Sequence, residues 1–301
     1  MLSISNWGKL TIVTRVLSFS TGSQRSFGLA TDNGVIDAST RLPELGTLQN
    51  TLRLDRLDDL RALAGETPDY GYDEITFLPV VPAPGKILCI GVNYQGRAAE
   101  YVDKSDADFP SVFPRFADSF TGHEQSVLRP PESDQLDYEG EIVVVIGRGG
   151  RRISTEAARE HIAGLTLGNE GTIRDWVRHA KFNVTQVKNW ASSGAIGPWM
   201  VPIDEIGDLG QLHLTTRVNG ELRQDDIPAS MKYSISYQIH YLSTFTTLAP
   251  GDLIFTGTPK GAGARFEPPV WLKPGDVVEV TVPEIGTLRN TVADEVVEAP
   301  Q

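Results

Sequence analysis

The alternation of apolar and polar positions along this chain is mostly that of strands. Ile142-Val143-Val144-Val145-Ile146 is an unbroken β-branched run and predicts a buried strand. Short alternating runs at 13–19 and 26–30 predict two strands around a turn. Asn219-Gly220, set between alternating runs, predicts a two-residue hairpin. Pro250-Gly251-Asp252 and Pro274-Gly275-Asp276 are matching turns, each leading into an apolar strand. Helical spacing is rarer. It occurs at 54–64, at 154–163 with Ser154 as N-cap, at 172–180 with Thr172 and Asp175 in a capping-box-like start, and at 234–246, which is amphipathic. Three prolines and a glycine within 77–85 predict an extended linker. The chain therefore divides into a small α+β module, 1–83, and a larger domain, 84–301. Strands dominate and helices are inserted between them, so the fold class is α+β and β-rich, not a doubly wound sheet.

Composition narrows the function classes. The 301 residues are 40% hydrophobic and 22% charged, which is ordinary for a globular protein. No apolar run approaches the ~20 residues of a membrane span. The first residues lack a charged start followed by an apolar core, so no signal peptide is expected. The single cysteine, Cys89, lies in an apolar run and reads as a small core residue; it fits a reducing cytoplasm. A net charge of −12 and no basic stripe disfavour nucleic acid. An anionic small molecule remains open as a ligand if a metal and a few cations reverse the local field.

Candidate chemistry begins with Glu139-Gly140-Glu141, at the mouth of the buried strand. Side chains two apart on a strand share a face, so the two carboxylates crowd each other. Two such anions cost repulsion and desolvation unless a cation or protons share them. Otherwise the pair is simply a solvated strand end. Glu170 stands between glycines in Asn169-Glu170-Gly171, where backbone can approach a ligand closely; its plainer role is favourable contact with a helix dipole. Three carboxylates with waters suit Mg²⁺ or a similar hard cation. Lys188 has few charged neighbours in sequence, and either points into a site or lies on the surface. Thr256-Gly257-Thr258 follows a strand and presents N–H and O–H groups to an anion, without Walker spacing.

Five segments, in order, resemble the fumarylacetoacetate hydrolase family in its small bacterial branch. They are 86–100 with Gly91-Val92-Asn93-Tyr94, 137–147, 168–175, 188–198 with Gly197-Pro198, and 251–263. The resemblance implies a mixed β-sandwich roll, a homodimer, and Mg²⁺ or Mn²⁺ held by Glu139, Glu141 and Glu170. It implies a 2-oxo or 1,3-diketo acid substrate, with Lys188 as the active-site lysine and Thr258, beside Gly257, contacting substrate. Arg115 falls where a lysine near the substrate is frequent.

Two departures matter. The third ligand is usually Asp and here is Glu170, whose extra methylene adds about 1.5 Å of reach. Arg97 stands where many members carry a histidine that, with the glutamate matching Glu100, activates water. An arginine does not serve as base at ordinary pH. Glu100 and His123, which lies in a segment bordering the site, are the remaining candidates. His161, His213 and His240 read as structural. The leading expectation is metal-dependent hydrolysis of a C–C bond in an acylpyruvate-like acid. The alternatives are decarboxylation, tautomerisation or hydration at the same metal–enolate site, and an oxo-acid binding protein without turnover.

Overall fold

The computed structural model describes residues 13–98, 108–180 and 184–297. Its frame is an eleven-stranded sheet with a nine-strand path: Gly34–Asp37, Gln24–Thr31, Val16–Thr21, Gly194–Pro202, Ile162–Asn169, Gly140–Ile146, Leu253–Phe255, Ile87–Gly91 and Ser111–Arg115. Thr76–Phe77 and Phe120–Thr121 pair alongside this path. A second sheet orders Glu221–Asp226, Leu214–Val218, Val277–Val282, Gly286–Asp294 and Val127–Arg129. Both are mixed sheets, and the fold is β-rich as the pattern predicts.

The strand Gly140–Ile146 is buried throughout. Ile142, Val144 and Ile146 join the core shared with the second sheet and with the helix Ile235–Phe245. Val143 and Val145 join a second core, with Leu48, Leu52 and Leu60 of the N-terminal helices. Full burial of each such side chain is worth roughly 1.5–3 kcal/mol, so both faces contribute. The N-terminal strands continue the same sheet, since Val16 pairs with Met200. The proline-rich stretch 77–85 is packed, not a free linker. Val80 and Val81 are buried, and Ser18 Oγ donates to Val80 O at 2.8 Å.

Local predictions divide by mechanism. The Asn219-Gly220 turn has positive φ at both residues (52° and 79°), as its hairpin requires. Ser234 caps the helix Ile235–Phe245 by accepting the Tyr237 N–H. The helices expected at 154–163 and 172–180 are corrected. The first is a short 3₁₀ turn, Ala158–His161, running straight into the strand Ile162–Asn169. The second is a strand pair, Thr172–Ile173 with Leu136–Asp137, followed by the 3₁₀ turn Arg174–Arg178. Sheet pairing claims 162–163 and 172–173, and the rest of each segment forms turns and short 3₁₀ stretches. Within 54–64 the helix is only Leu57–Arg61.

His123 illustrates how the frame uses a partly buried imidazole. Its Nδ1 accepts the Arg289 N–H at 3.0 Å, and its ring meets Phe77 edge-on at 4.8 Å. Burial lowers its pKa to about 4, against a weaker raising influence from Glu124. A folded value below the unfolded one of about 6.5 means the unfolded chain binds more protons between those values. Stability from this group is therefore full above pH 6.5 and falls by about 3 kcal/mol as pH drops toward 4. The His123→Asn variant keeps an acceptor for Arg289. Acid titration of its unfolding free energy should show a shallower decline than wild type, and an unchanged slope would contradict this assignment.

Candidate active site

Strand register explains why the three carboxylates meet. Gly140 pairs with Asn169 in the antiparallel ladder, so the flanking residues Glu139 and Glu170 lie opposite one another. The Glu170 N–H donates to Glu139 O at 2.7 Å, and Asn169 Oδ1 accepts the Glu139 N–H at 3.0 Å. Glu141 lies two residues along from Glu139 and accepts the Gly257 N–H at 2.7 Å. Glu139, Glu141 and Glu170 are all buried, and one carboxylate oxygen from each lies within 4.8 Å of the others.

Lys188 ends the short helix Val184–Lys188 and reaches into this cluster. Its Nζ lies 2.5 Å from Glu139 Oε2 and 2.8 Å from Glu170 Oε2. Burial pulls the Lys188 pKa down, and Glu139 with Glu170 reverses that, leaving it raised. Arg174 bridges from the other side, 2.5 Å from Glu139 Oε1 and 2.8 Å from Asp137 Oδ2. Asp137 is itself buried and accepts the Gly263 and Ala264 N–H groups. Four carboxylates thus face two bridging cations. Glu141 is left with the largest conflict. Burial first, then repulsion from Glu170 and Glu139, holds its pKa well above the usual carboxylate range.

A divalent cation fits this donor set. All donors are carboxylate oxygens, the choice of a hard ion such as Mg²⁺ or Mn²⁺. Glu170 Oε1 is buried with no hydrogen-bond partner, although such atoms are rarely left bare. The extra methylene of Glu170 therefore does not carry its carboxylate out of the cluster.

The cluster floors a cavity of about 370 Å³. Ile90, Val92, Phe113, Val177, Val184 and Val187 form its apolar wall, and Arg265 and Thr258 complete the polar side. The Thr258 hydroxyl donates to Gly140 O at 2.9 Å and accepts from Gln224 Nε2 at 2.7 Å, so it braces the strand end as it lines the cavity. Gly257 acts through its N–H on Glu141, at a φ of 101° that favours glycine.

Two expected participants are elsewhere. His123 is not among the cavity-lining residues; it packs on Phe77 and Arg289 as described. Arg115 is also absent from the lining. Its buried guanidinium donates to Ser119 O, Ser119 Oγ, Gly171 O and Ser193 Oγ and lies over Phe120 at 4.0 Å, so it braces the turn after Glu170. Glu100 lies outside the described residues, as does the Arg97 side chain. Cys89 is fully buried; burial, with Glu170 nearby, pushes its thiol up, which keeps it protonated.

Sequence reasoning passed over Asp137 and Arg174. The period-two row that joins Glu139 to Glu141 also contains Asp137, so that signal was available. Arg174 gives none, because its partners lie 35 and 37 residues away across a strand pairing.

This chain belongs to the fumarylacetoacetate hydrolase family, an enzyme family, whose C-terminal domain model matches residues 86–293. Among its relatives, oxaloacetate tautomerase YisK of Bacillus subtilis (strain 168) is 41% identical over 227 residues, covering 74% of this chain and 75% of that protein. The mitochondrial oxaloacetate tautomerase FAHD2B of Bos taurus is 37% identical over 234 residues, covering 77% and 74%. The fumarylacetoacetate hydrolase structure from Exiguobacterium antarcticum superposes with a TM-score of 0.78 at 29% identity, covering 94% of this chain and all of that one.

The raised Glu141 pKa gives a signed prediction. A carboxylate whose folded pKa exceeds its unfolded value stabilises below the unfolded pKa, and that contribution is lost as pH rises through the folded one. Relative to Glu141→Gln, cation-free wild type should thus lose melting temperature as pH rises above about 4.5. Mn²⁺ should restore it, most strongly at the higher pH, and Glu141→Gln should flatten the cation-free curve. A melting temperature indifferent to both pH and Mn²⁺ would rule out a strained carboxylate cluster.

Proposed function

We propose that this protein is a divalent-cation-dependent tautomerase that interconverts the enol and keto forms of a 2-oxo acid of the oxaloacetate class. One observation carries the reading. The cavity joins three carboxylates to a single lysine, and no histidine occurs among the described residues that line it. Hydrolysis needs a base to activate water; enolisation does not. The tautomerase relatives, each matched over about three quarters of its length, support the same choice. The histidine expected to activate water in many family members is Arg97 here.

A hard cation held by Glu139, Glu141 and Glu170 would supply Lewis-acid polarisation of the 2-oxo acid. The chain's own residues do the rest. Lys188, Arg174 and Arg265 line the cavity and give a cationic side that suits substrate carboxylates. Lys188 is the lining cation whose proton can move, since arginine keeps its own. From enol to keto, the Lys188 ammonium gives a proton to C3. Its amine then takes the enol hydroxyl proton, which regenerates the ammonium and consumes no water. The apolar wall of Ile90, Phe113 and Val187 lowers the local dielectric around that exchange.

Loss of the enol ultraviolet band of oxaloacetate reports the reaction directly. Chelation should remove the catalysed phase and Mn²⁺ or Mg²⁺ should return it. Lys188→Met should slow it by about 100-fold or more, the usual scale of a lost acid–base group. Catalysis indifferent to chelation, or cleavage of an acylpyruvate with ¹⁸O from water entering a product carboxylate, would replace this reading with another.

A further inference from the structure

One residue of the cavity wall has a backbone its side chain opposes. Val92 has φ 52°, in the left-handed region, and it is β-branched. Such residues occupy that region only where the surroundings impose it. The turn lies between the strand Ile87–Gly91, which ends at the cavity, and Asn93, which is fully buried.

Asn93 uses its whole amide. Nδ2 donates to Thr256 O at 2.8 Å and to Tyr233 O at 3.0 Å, while Oδ1 accepts the Tyr233 N–H at 2.9 Å. Its backbone carbonyl accepts the Lys232 N–H at 2.7 Å. The bond to Thr256 grips the residue just before Gly257. A Cβ on Gly257 would lie 2.7 Å from the Asn93 Cβ, so the two backbones are already in close contact. Gly257 in turn donates its N–H to Glu141.

We propose that Asn93 is a positioning residue for Glu141, acting through the Thr256–Gly257 turn, and that the strained Val92 backbone is what lets Asn93 enter beneath that turn. The chain of contacts is continuous: Val92 turns the strand end inward, Asn93 fixes Thr256, and Gly257 aims its N–H at the Glu141 carboxylate. Strain at Val92 is thus spent on the geometry of the cluster. The link to cation affinity rests on the metal reading above; the clamp itself does not.

The test separates the two. Amide exchange and the proton chemical shift of Gly257 are measured by NMR in wild type, Asn93→Ala, and a core control on the helix Leu57–Arg61, Leu60→Ala, with Mn²⁺ affinity measured by calorimetry. Asn93→Ala should speed Gly257 exchange at least tenfold relative to the preceding strand Leu253–Phe255 and weaken Mn²⁺ binding by a similar factor. Leu60→Ala should lower the melting temperature and leave both unchanged. Unaltered Gly257 exchange in folded Asn93→Ala overturns the clamp. Lost protection in a protein that never bound Mn²⁺ sinks the metal reading and leaves the clamp standing. The strain is tested by a double-mutant cycle. Val92→Gly should raise the melting temperature of wild type and give no gain in Asn93→Ala, where Val92 is already free to relax. An equal effect in both backgrounds would show that Asn93 does not impose the strain.

Discussion

Mutual repulsion among Glu139, Glu141 and Glu170 is the constraint around which this site is organised. Buried carboxylates this close do not ionise freely together. Lys188 and Arg174 offset part of the cost, and the Gly257 N–H takes one oxygen of Glu141. Even so, Glu141 is driven toward its protonated form and Glu170 Oε1 has no partner. A divalent cation of the kind proposed above would relieve this unresolved charge.

The fold makes that concentration of charge tolerable. Gly140–Ile146 is buried on both faces, so the strand end that carries Glu139 and Glu141 is anchored by two cores. Around it the supporting side chains act on the backbone. Asn169 and Gln224 accept the Glu139 and Gly140 N–H groups, and Arg115 secures Gly171. These fix where the carboxylates point and leave their charges facing the cavity. The proposed enolisation would use the same arrangement, with the cations Lys188, Arg174 and Arg265 lining the cavity beside the carboxylates.

Much of this was legible in the chain because it is local. The β-branched run, the Asn219-Gly220 hairpin, the Ser234 cap and the Glu139–Glu141 spacing each depend on neighbours within a few residues. What escaped is non-local. The segments 154–163 and 172–180 carry helical spacing, yet pairing with other strands takes 162–163 and 172–173 into sheets. His123 borders the motifs in sequence, while its partners Phe77 and Arg289 come from opposite ends of the chain. Arg115 has the charge of a substrate contact, and its burial among Ser119, Gly171 and Ser193 is set by tertiary packing alone.

The central claim is that the three carboxylates share a divalent cation. A crystal structure of the protein grown with Mn²⁺, with anomalous differences collected for manganese, tests it most directly. The account predicts one strong peak enclosed by Glu139, Glu141 and Glu170, with Glu170 Oε1 among its ligands. A map with no peak there, and Lys188 still bridging Glu139 and Glu170, would contradict it.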